Sequence, residues 1–237
     1  MYSKKTFHCA LLLAAFTSMP VAAPAIDQPV GISTTLEKLT FTADGKQYAI
    51  ERNPDNQNTV APDYALTSRP CPPFCIQPMN LAPGVETVGE LEVIDYLDQK
   101  YNQGNDGILL IDSRTRNWVE KGVIPGAVNI PWTKLYTKKG ATPESIIDIM
   151  TGRLGVKLVE GKDVFDVDEA LAQSDLTGIF DFSGSRTLVL YCNGMWCGQS
   201  PISIQTLLQY GYPAEKLKWY RGGMQDWQIL GLTTVAP

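Results

Sequence analysis

Four short apolar runs, separated by polar or helix-patterned stretches, limit this chain to few architectures. They are Ile108-Leu109-Leu110-Ile111, Ala127-Val128-Asn129-Ile130, Thr187-Leu188-Val189-Leu190-Tyr191 and Leu217-Lys218-Trp219-Tyr220. Apolar runs of this length read as strands covered on both faces. Between them lie helix signals. Val88, Leu91, Ile94, Leu97 and Tyr101 recur at helical spacing, an amphipathic pattern runs from Ser200 to Tyr210, and a last helix follows Gly222-Gly223. A long insertion, roughly residues 135–185, carries helical patterns over 143–150 and 166–172. Strands alternating with helices predict an α/β fold, a parallel sheet with helices on both faces. Sites in such sheets sit at the carboxyl ends of strands. Asp112 ends one run, and Cys192 follows another directly.

Cys192 opens the stretch Cys192-Asn193-Gly194-Met195-Trp196-Cys197-Gly198-Gln199-Ser200-Pro201. A cysteine at a strand end, before a Gly-containing loop and a helix start, is placed for thiolate chemistry. Loop amides and the helix N-terminus converge there and favour negative charge. A thiol at that point is expected to ionise more readily than a free cysteine. Cys197, at the predicted helix start, is expected to be acidified in the same way.

The rest of the composition removes alternatives. The net charge is −5, and basic residues reach no further than short pairs such as Lys138-Lys139. That argues against nucleic acid or an anionic membrane surface as the main partner. Residues 1–25 read as a signal peptide: Lys4 and Lys5 supply the charge, Cys9 to Phe16 the short apolar core, and Ala23-Pro24-Ala25 a small-residue cleavage site. The apolar core is too short to span a bilayer, so no stable membrane insertion is expected after cleavage. The expected location is a bacterial periplasm or the exterior.

The single histidine, His8, falls inside this leader. Without an imidazole base the remainder cannot run a Cys-His or Ser-His-Asp mechanism, and zinc sites with histidine ligands are excluded. Four cysteines remain: Cys71, Cys75, Cys192 and Cys197. Their spacing is awkward for a four-thiolate metal site, and an oxidising compartment favours disulfides. No metal or cofactor is called for.

Residues 26–83 read as an extension in front of a domain over 84–237. Leu36 to Phe41 and Gln47 to Ile50 flank Asp44-Gly45, which predicts a β-hairpin. A lone hairpin is marginal and must dock. The Pro- and Asn-rich residues 53–83 read as irregular cover. They contain Arg69-Pro70-Cys71-Pro72-Pro73-Phe74-Cys75. Cys71 and Cys75 suit a local disulfide that staples this cover, the reading an oxidising compartment favours. They also suit a redox pair or sulfur relay aimed at Cys192.

Three segments in series resemble the rhodanese (sulfurtransferase) family over about residues 84–235. The first is Leu109-Leu110-Ile111-Asp112-Ser113-Arg114 with Gly122-Val123-Ile124-Pro125-Gly126-Ala127-Val128-Asn129-Ile130-Pro131. The second is Val189-Leu190-Tyr191-Cys192. The third is Gly211-Tyr212, Tyr220-Arg221-Gly222-Gly223-Met224-Gln225-Asp226-Trp227 and Gly231-Leu232. The chain departs from the family pattern at Trp118 and Val123, and in its loop, where many relatives carry Arg or Lys and residues 192–198 carry no charge. Gly198 stands where phosphatases of this fold need an arginine, which excludes phosphatase chemistry.

The resemblance implies a cysteine, by position Cys192, that takes up a sulfane sulfur as a persulfide and passes it to a thiol or other nucleophile. The implied partners are a small sulfur donor or a protein persulfide or thiol. The loop residues Asn193, Gly194, Met195, Trp196 and Gly198 would line the site. Cys197 reads either as a resolving thiol for Cys192 or as a small residue facing the core. Asp112 and Arg114 read as an ion pair closing the strand end. The uncharged loop argues against thiosulfate as the natural donor, and Arg221 reads either as the nearest candidate cation for an anionic one or as a solvated surface arginine. Trp196 suits the pocket mouth, and Trp118, Trp132 and Trp227 suit packing. Two further readings stand beside sulfur transfer: a thiol-disulfide redox protein using Cys192 and Cys197, and a non-catalytic binding module of the same fold.

Overall fold

The computed structural model describes residues 29–237, and the expected signal peptide lies outside them. A hairpin of β1 (Leu39–Ala43) and β2 (Lys46–Ile50) comes first, then a single turn, α1 (Pro62–Ala65). The domain proper runs β3 (Glu86–Val88), α2 (Glu90–Tyr101), β4 (Ile108–Asp112), α3 (Arg116–Val119) and β5 (Val128–Asn129). The insertion follows as α4 (Pro143–Arg153), β6 (Lys157–Leu158), α5 (Val164–Gln173) and β7 (Phe180–Asp181). The chain closes with β8 (Thr187–Tyr191), α6 (Gln199–Gln209), β9 (Leu217–Tyr220) and α7 (Gly223–Ile229).

The main sheet has the order β3-β9-β8-β4-β5, and every pairing is parallel. Side chains alternate between its faces with period two. Leu188 and Leu190 of β8 join Leu109, Ile111, Leu217 and Trp219 on one face, under Ile146, Met150, Val167, Ile204 and Leu207 of α4, α5 and α6. Val189 and Tyr191 join Leu110 and Tyr220 on the other, under Val93, Ile94, Leu97, Met224 and Trp227 of α2 and α7. This is the expected α/β architecture with helices on both faces. The register sets Val88, Tyr220, Tyr191, Asp112 and Asn129 side by side across the carboxyl edge.

Two details differ from the periodicity reading. Val88 ends edge strand β3 instead of starting α2. The three residues of β3 are too few to show alternation, and the helix begins after Gly89, whose N–H is met by Glu92 (2.9 Å). The insertion also holds a small antiparallel pair, β6 with β7, which two-residue strands cannot announce.

The hairpin turns through Asp44 and Gly45, both at positive φ (49° and 74°), as a two-residue hairpin turn requires. It docks by Leu39, Phe41 and Ile50 on the α2 side of the sheet. Phe41 stacks on Tyr101 at 4.7 Å and on Tyr48 at 5.5 Å. The chain end holds the other side: Thr233 N–H donates to the Glu51 carbonyl, Glu51 N–H donates to Thr233 Oγ1 (both 3.0 Å), and Asn53 N–H donates to the Gly231 carbonyl (2.7 Å). Among the described residues no helix is long and apolar enough to cross a membrane.

Phe41→Ala removes a buried ring from this dock. It should lower the unfolding free energy by about 3–4 kcal/mol, read from a urea titration. A loss under about 1 kcal/mol would show that the hairpin is not part of the cooperative unit.

Candidate functional site

Cys192 follows β8 and is 2 % exposed. Its loop is held from below by α7. The Cys192 carbonyl accepts from Met224 N–H and the Asn193 carbonyl from Gln225 N–H, both at 3.0 Å. This approach requires Gly223: it sits at φ +56°, and an added Cβ would run into the Cys192 carbonyl oxygen. The resemblance pointed at this glycine as part of a motif, and the structure supplies its physical reason.

Around the sulfur the polar groups converge. Ser200 Oγ lies 3.2 Å from Cys192 Sγ, and the thiol donates to the Cys197 carbonyl at 3.3 Å. Trp219 Nε1 donates to Ser200 Oγ (3.1 Å), which fixes the hydroxyl and leaves its proton for the sulfur. Burial pushes the Cys192 thiol up. Hydrogen bonds from the Cys197 thiol, the Ser200 hydroxyl and the Ser200 and Gly194 amides outweigh that and bring it down to about 7.

Cys197 behaves differently from expectation. It is 4 % exposed, and burial, its hydrogen bond to Cys192 and the Cys192 charge push its thiol well above the ordinary value. Position at a helix start does not acidify a thiol that is itself the donor to a neighbouring thiolate. The pair therefore holds one ready thiolate and one reluctant thiol.

Asp112 and Arg114 form a fully buried ion pair, with Arg114 Nε donating to both carboxylate oxygens (2.9 and 3.1 Å). Burial works against the guanidinium charge, but the Asp112 contacts outweigh it and hold Arg114 more firmly protonated than in water. The remaining donors reach Gly122 O, Trp118 O and Tyr64 Oη. Tyr191 Oη donates to Asp112 (3.0 Å).

The extension closes the site from above, which the sequence reading described only as cover. Tyr64 Oη donates to Asn193 Oδ1 (3.4 Å), and Gln225 bridges the Tyr64 carbonyl (2.6 Å) and Trp196 Nε1 (2.7 Å). Gln77 N–H donates to the Met195 carbonyl (2.8 Å). Phe74 meets Trp196 edge-on at 5.5 Å, and the Arg69 guanidinium lies 3.8 Å from the Trp196 ring centre. Cys71 and Cys75 are joined as a disulfide across the turn that carries Phe74. Arg221, expected to face an anion, donates instead to the Gln77 and Pro78 carbonyls (2.9 and 3.2 Å). Trp227 is buried in the core, Trp118 tilts against Tyr64, and Trp132 packs beside Tyr136.

A family profile described as Rhodanese-like domain matches residues 93–230, more than half of the 237 residues. This chain belongs to the rhodanese-like domain family. Similar solved structures include the 3-mercaptopyruvate sulfotransferase SseA of Escherichia coli, at 20 % identity over 59 % of this chain and 40 % of that one, TM-score 0.35. A rhodanese-like domain from Anabaena matches at 17 % identity over 66 % and 81 % of the two chains, TM-score 0.35. A human single-domain sulfurtransferase matches at 19 % identity over 61 % and 96 %, TM-score 0.32. No curated protein matches.

The sequence pointed to Cys192, Cys197 and Asn193 to Gly198 after one strand and to Asp112 and Arg114 at the end of another, and the register sets these two strand ends side by side. It missed Ser200, Gln225, Tyr64, Arg69, Phe74 and Gln77. Ser200 had a readable signal, one turn beyond Cys197 at a helix start. The extension residues had none, because nothing local places a Pro-rich segment over a loop more than a hundred residues away. Among the described residues no cluster of His, Cys, Asp or Glu is arranged to hold a metal.

Ser200→Ala removes one donor from the sulfur. A hydrogen bond to a charged group is worth about 1.5–3 kcal/mol, so half-ionisation of Cys192 should move up from about 7 by about one pH unit or more. The sign follows from what the hydroxyl does: it favours the thiolate, so its loss leaves more thiol at pH 7 and no difference well below pH 6. Thiolate ultraviolet absorbance, taken as the difference from Cys192→Ser, reads this; an unmoved midpoint removes Ser200 from the account.

Proposed function

We propose that this protein is an exported sulfurtransferase that carries sulfane sulfur on Cys192. The observation that supports this most is a buried Cys192 sulfur on which donors converge, the Ser200 hydroxyl at 3.2 Å fixed by Trp219 and the Gly194 and Ser200 amides, so that the pKa of its thiol is lowered although it is buried. Desolvation alone would keep it protonated. A strand end that works against desolvation is suited to a thiolate, and equally to the terminal sulfur of a persulfide.

In the proposed reaction the Cys192 thiolate attacks the outer sulfur of a sulfane donor. The new S–S bond forms as the donor's own S–S bond breaks, and the donor remnant leaves with the electron pair. A thiol acceptor then attacks the outer sulfur and Cys192 leaves as thiolate, so the kinetics are ping-pong. The amides of Gly194 and Ser200 and the Ser200 hydroxyl meet the sulfur in each state. Export rests on the leader at residues 1–25.

The loop itself is neutral, and the two guanidiniums beside it are engaged by protein, Arg221 with the Gln77 and Pro78 carbonyls and Arg69 with the Asp63 carbonyl and the Trp196 ring, so a small dianionic donor must compete for them. A polysulfide or a protein persulfide is the better fit. Intact mass after exposure to each donor should show one added sulfur on the wild type and none on Cys192→Ser, with thiosulfate loading far less than polysulfide at equal concentration. Sulfur uptake by Cys192→Ser, or saturation at micromolar thiosulfate, would overturn the assignment.

A second reading, thiol-disulfide exchange between Cys192 and Cys197, is favoured by the hydrogen bond between their thiols. In it peroxide oxidises the Cys192 thiolate to a sulfenic acid, the Cys197 thiol displaces water from it to form the disulfide, and an external thiol reduces that disulfide by exchange. Cys197→Ala should keep initial sulfur transfer but lose it irreversibly after peroxide, while the wild type recovers with a reductant. Equal recovery in both would leave Cys197 a packing residue.

A further inference from the structure

The Cys71–Cys75 disulfide sits where a simple staple has no need to be. Its ring carries Phe74, which shares one apolar cluster with Cys192, Cys197 and Trp196. On one side of the ring, Arg69 lies over the Trp196 ring. On the other, Gln77 binds the Met195 carbonyl through its N–H and the Cys75 carbonyl through its side chain, both at 2.8 Å. The segment 69–77 is thus fastened at three points to the loop that starts at Cys192, and Cys192 is 2 % exposed beneath it. Phe74 packs on the cluster that holds that sulfur, so the segment slows access to Cys192 while it is in place.

The two cysteines of the bridge differ in exposure. Cys71 is exposed, while Cys75 is half-buried on the loop side. The fastening is also imperfect. Arg69 Nε is buried without a hydrogen-bond partner, and such a donor costs free energy that opening to water recovers. The closed segment therefore depends on the short covalent ring that keeps Phe74 in position, because a cross-link limits the conformations an opened segment can reach.

We propose that Cys71–Cys75 is a thiol-exchange site whose reduction by a dithiol releases residues 69–77 from the 192–198 loop and exposes Cys192. One thiolate of the dithiol attacks the sulfur of Cys71, the more exposed cysteine; the Cys71–Cys75 bond breaks and Cys75 leaves as thiolate and takes a proton. The second thiol of the reductant then displaces Cys71, so two electrons and two protons pass to the cysteines and the reductant becomes a cyclic disulfide. The same exchange in reverse closes the site. Its biological use rests on Cys192 being the sulfur carrier proposed above, since a gate over an idle thiol would control nothing.

The test measures access alone, with no sulfur donor present. Iodoacetamide labelling of Cys192 in the full chain is followed by peptide mapping. Wild type without reductant should label slowly, with Cys71 and Cys75 unlabelled. Cys71→Ser/Cys75→Ser, Phe74→Ala, and wild type pulsed with dithiothreitol and desalted should each label Cys192 about tenfold faster or more, as expected for a local opening of a covered group. A cooperative urea transition checks that the double variant is folded; if it is not, the pulsed wild type and Phe74→Ala decide. Equal Cys192 rates with and without the bridge overturn the proposal, as does labelling of Cys71 and Cys75 in unreduced wild type. Faster labelling in a protein that never takes up sulfur would keep the gate and remove the transferase reading.

Discussion

The structure turns on a positive charge that has been taken completely out of water. Arg114 is fully buried beside an equally buried Asp112, and a pair in that position is tolerable only if every remaining donor finds an acceptor. Each acceptor comes from a different part of the chain. Trp118 brings α3, Gly122 the turn after it, Tyr191 ties in β8 through Asp112, and Tyr64 brings the extension. Satisfying one guanidinium thus places the strand end, the turn before β5 and the lid at once. Taking away either member would leave a bare buried charge, and breaking such pairs typically costs about 3–5 kcal/mol.

From that hub the order reaches the sulfur in two steps. Tyr64 links Arg114 to Asn193, and Gln225 links Tyr64 to Trp196. The loop is therefore held by its neighbours above and below more than by itself; inside it, Cys197 N–H reaches the Gly194 carbonyl at 2.9 Å. Two demands on Cys192 conflict. Burial protects a reactive sulfur from chance oxidants, yet burial also opposes the thiolate. Donors fixed in advance, such as the Ser200 hydroxyl oriented by Trp219, reconcile them.

The sheet was legible because its strands are buried on both faces and so read as unbroken apolar runs; Leu188 to Tyr191 needs no partner to be recognised. The Cys192 loop was legible for a related reason, since a cysteine after such a strand has one place to go in a parallel sheet. Edge strand β3 was hidden by its length. The orientation of Arg221 was hidden because its acceptors are backbone carbonyls of residues 77 and 78, and a carbonyl has no identity in a sequence. Cys197 misled for a different reason: helix position argues for a low pKa, but an adjacent thiolate argues more strongly against it, and adjacency of side chains is a property of the fold. Arg69 and Phe74 sit in a segment whose composition says only that it is irregular.

The hairpin and lid have their docking partners at the far end of the chain: Glu51 meets Thr233 across 182 positions and Tyr64 meets Gln225 across 161. The extension finds part of its surface early, at Tyr101 and Arg114, but its dock is complete only when those last residues follow. Such long-range closure forms late. Cys71 and Cys75, four positions apart, need no such wait. Pairing within residues 71–75 is therefore a local event, whereas Cys192 and Cys197 gain their burial only once the sheet and the extension have both formed.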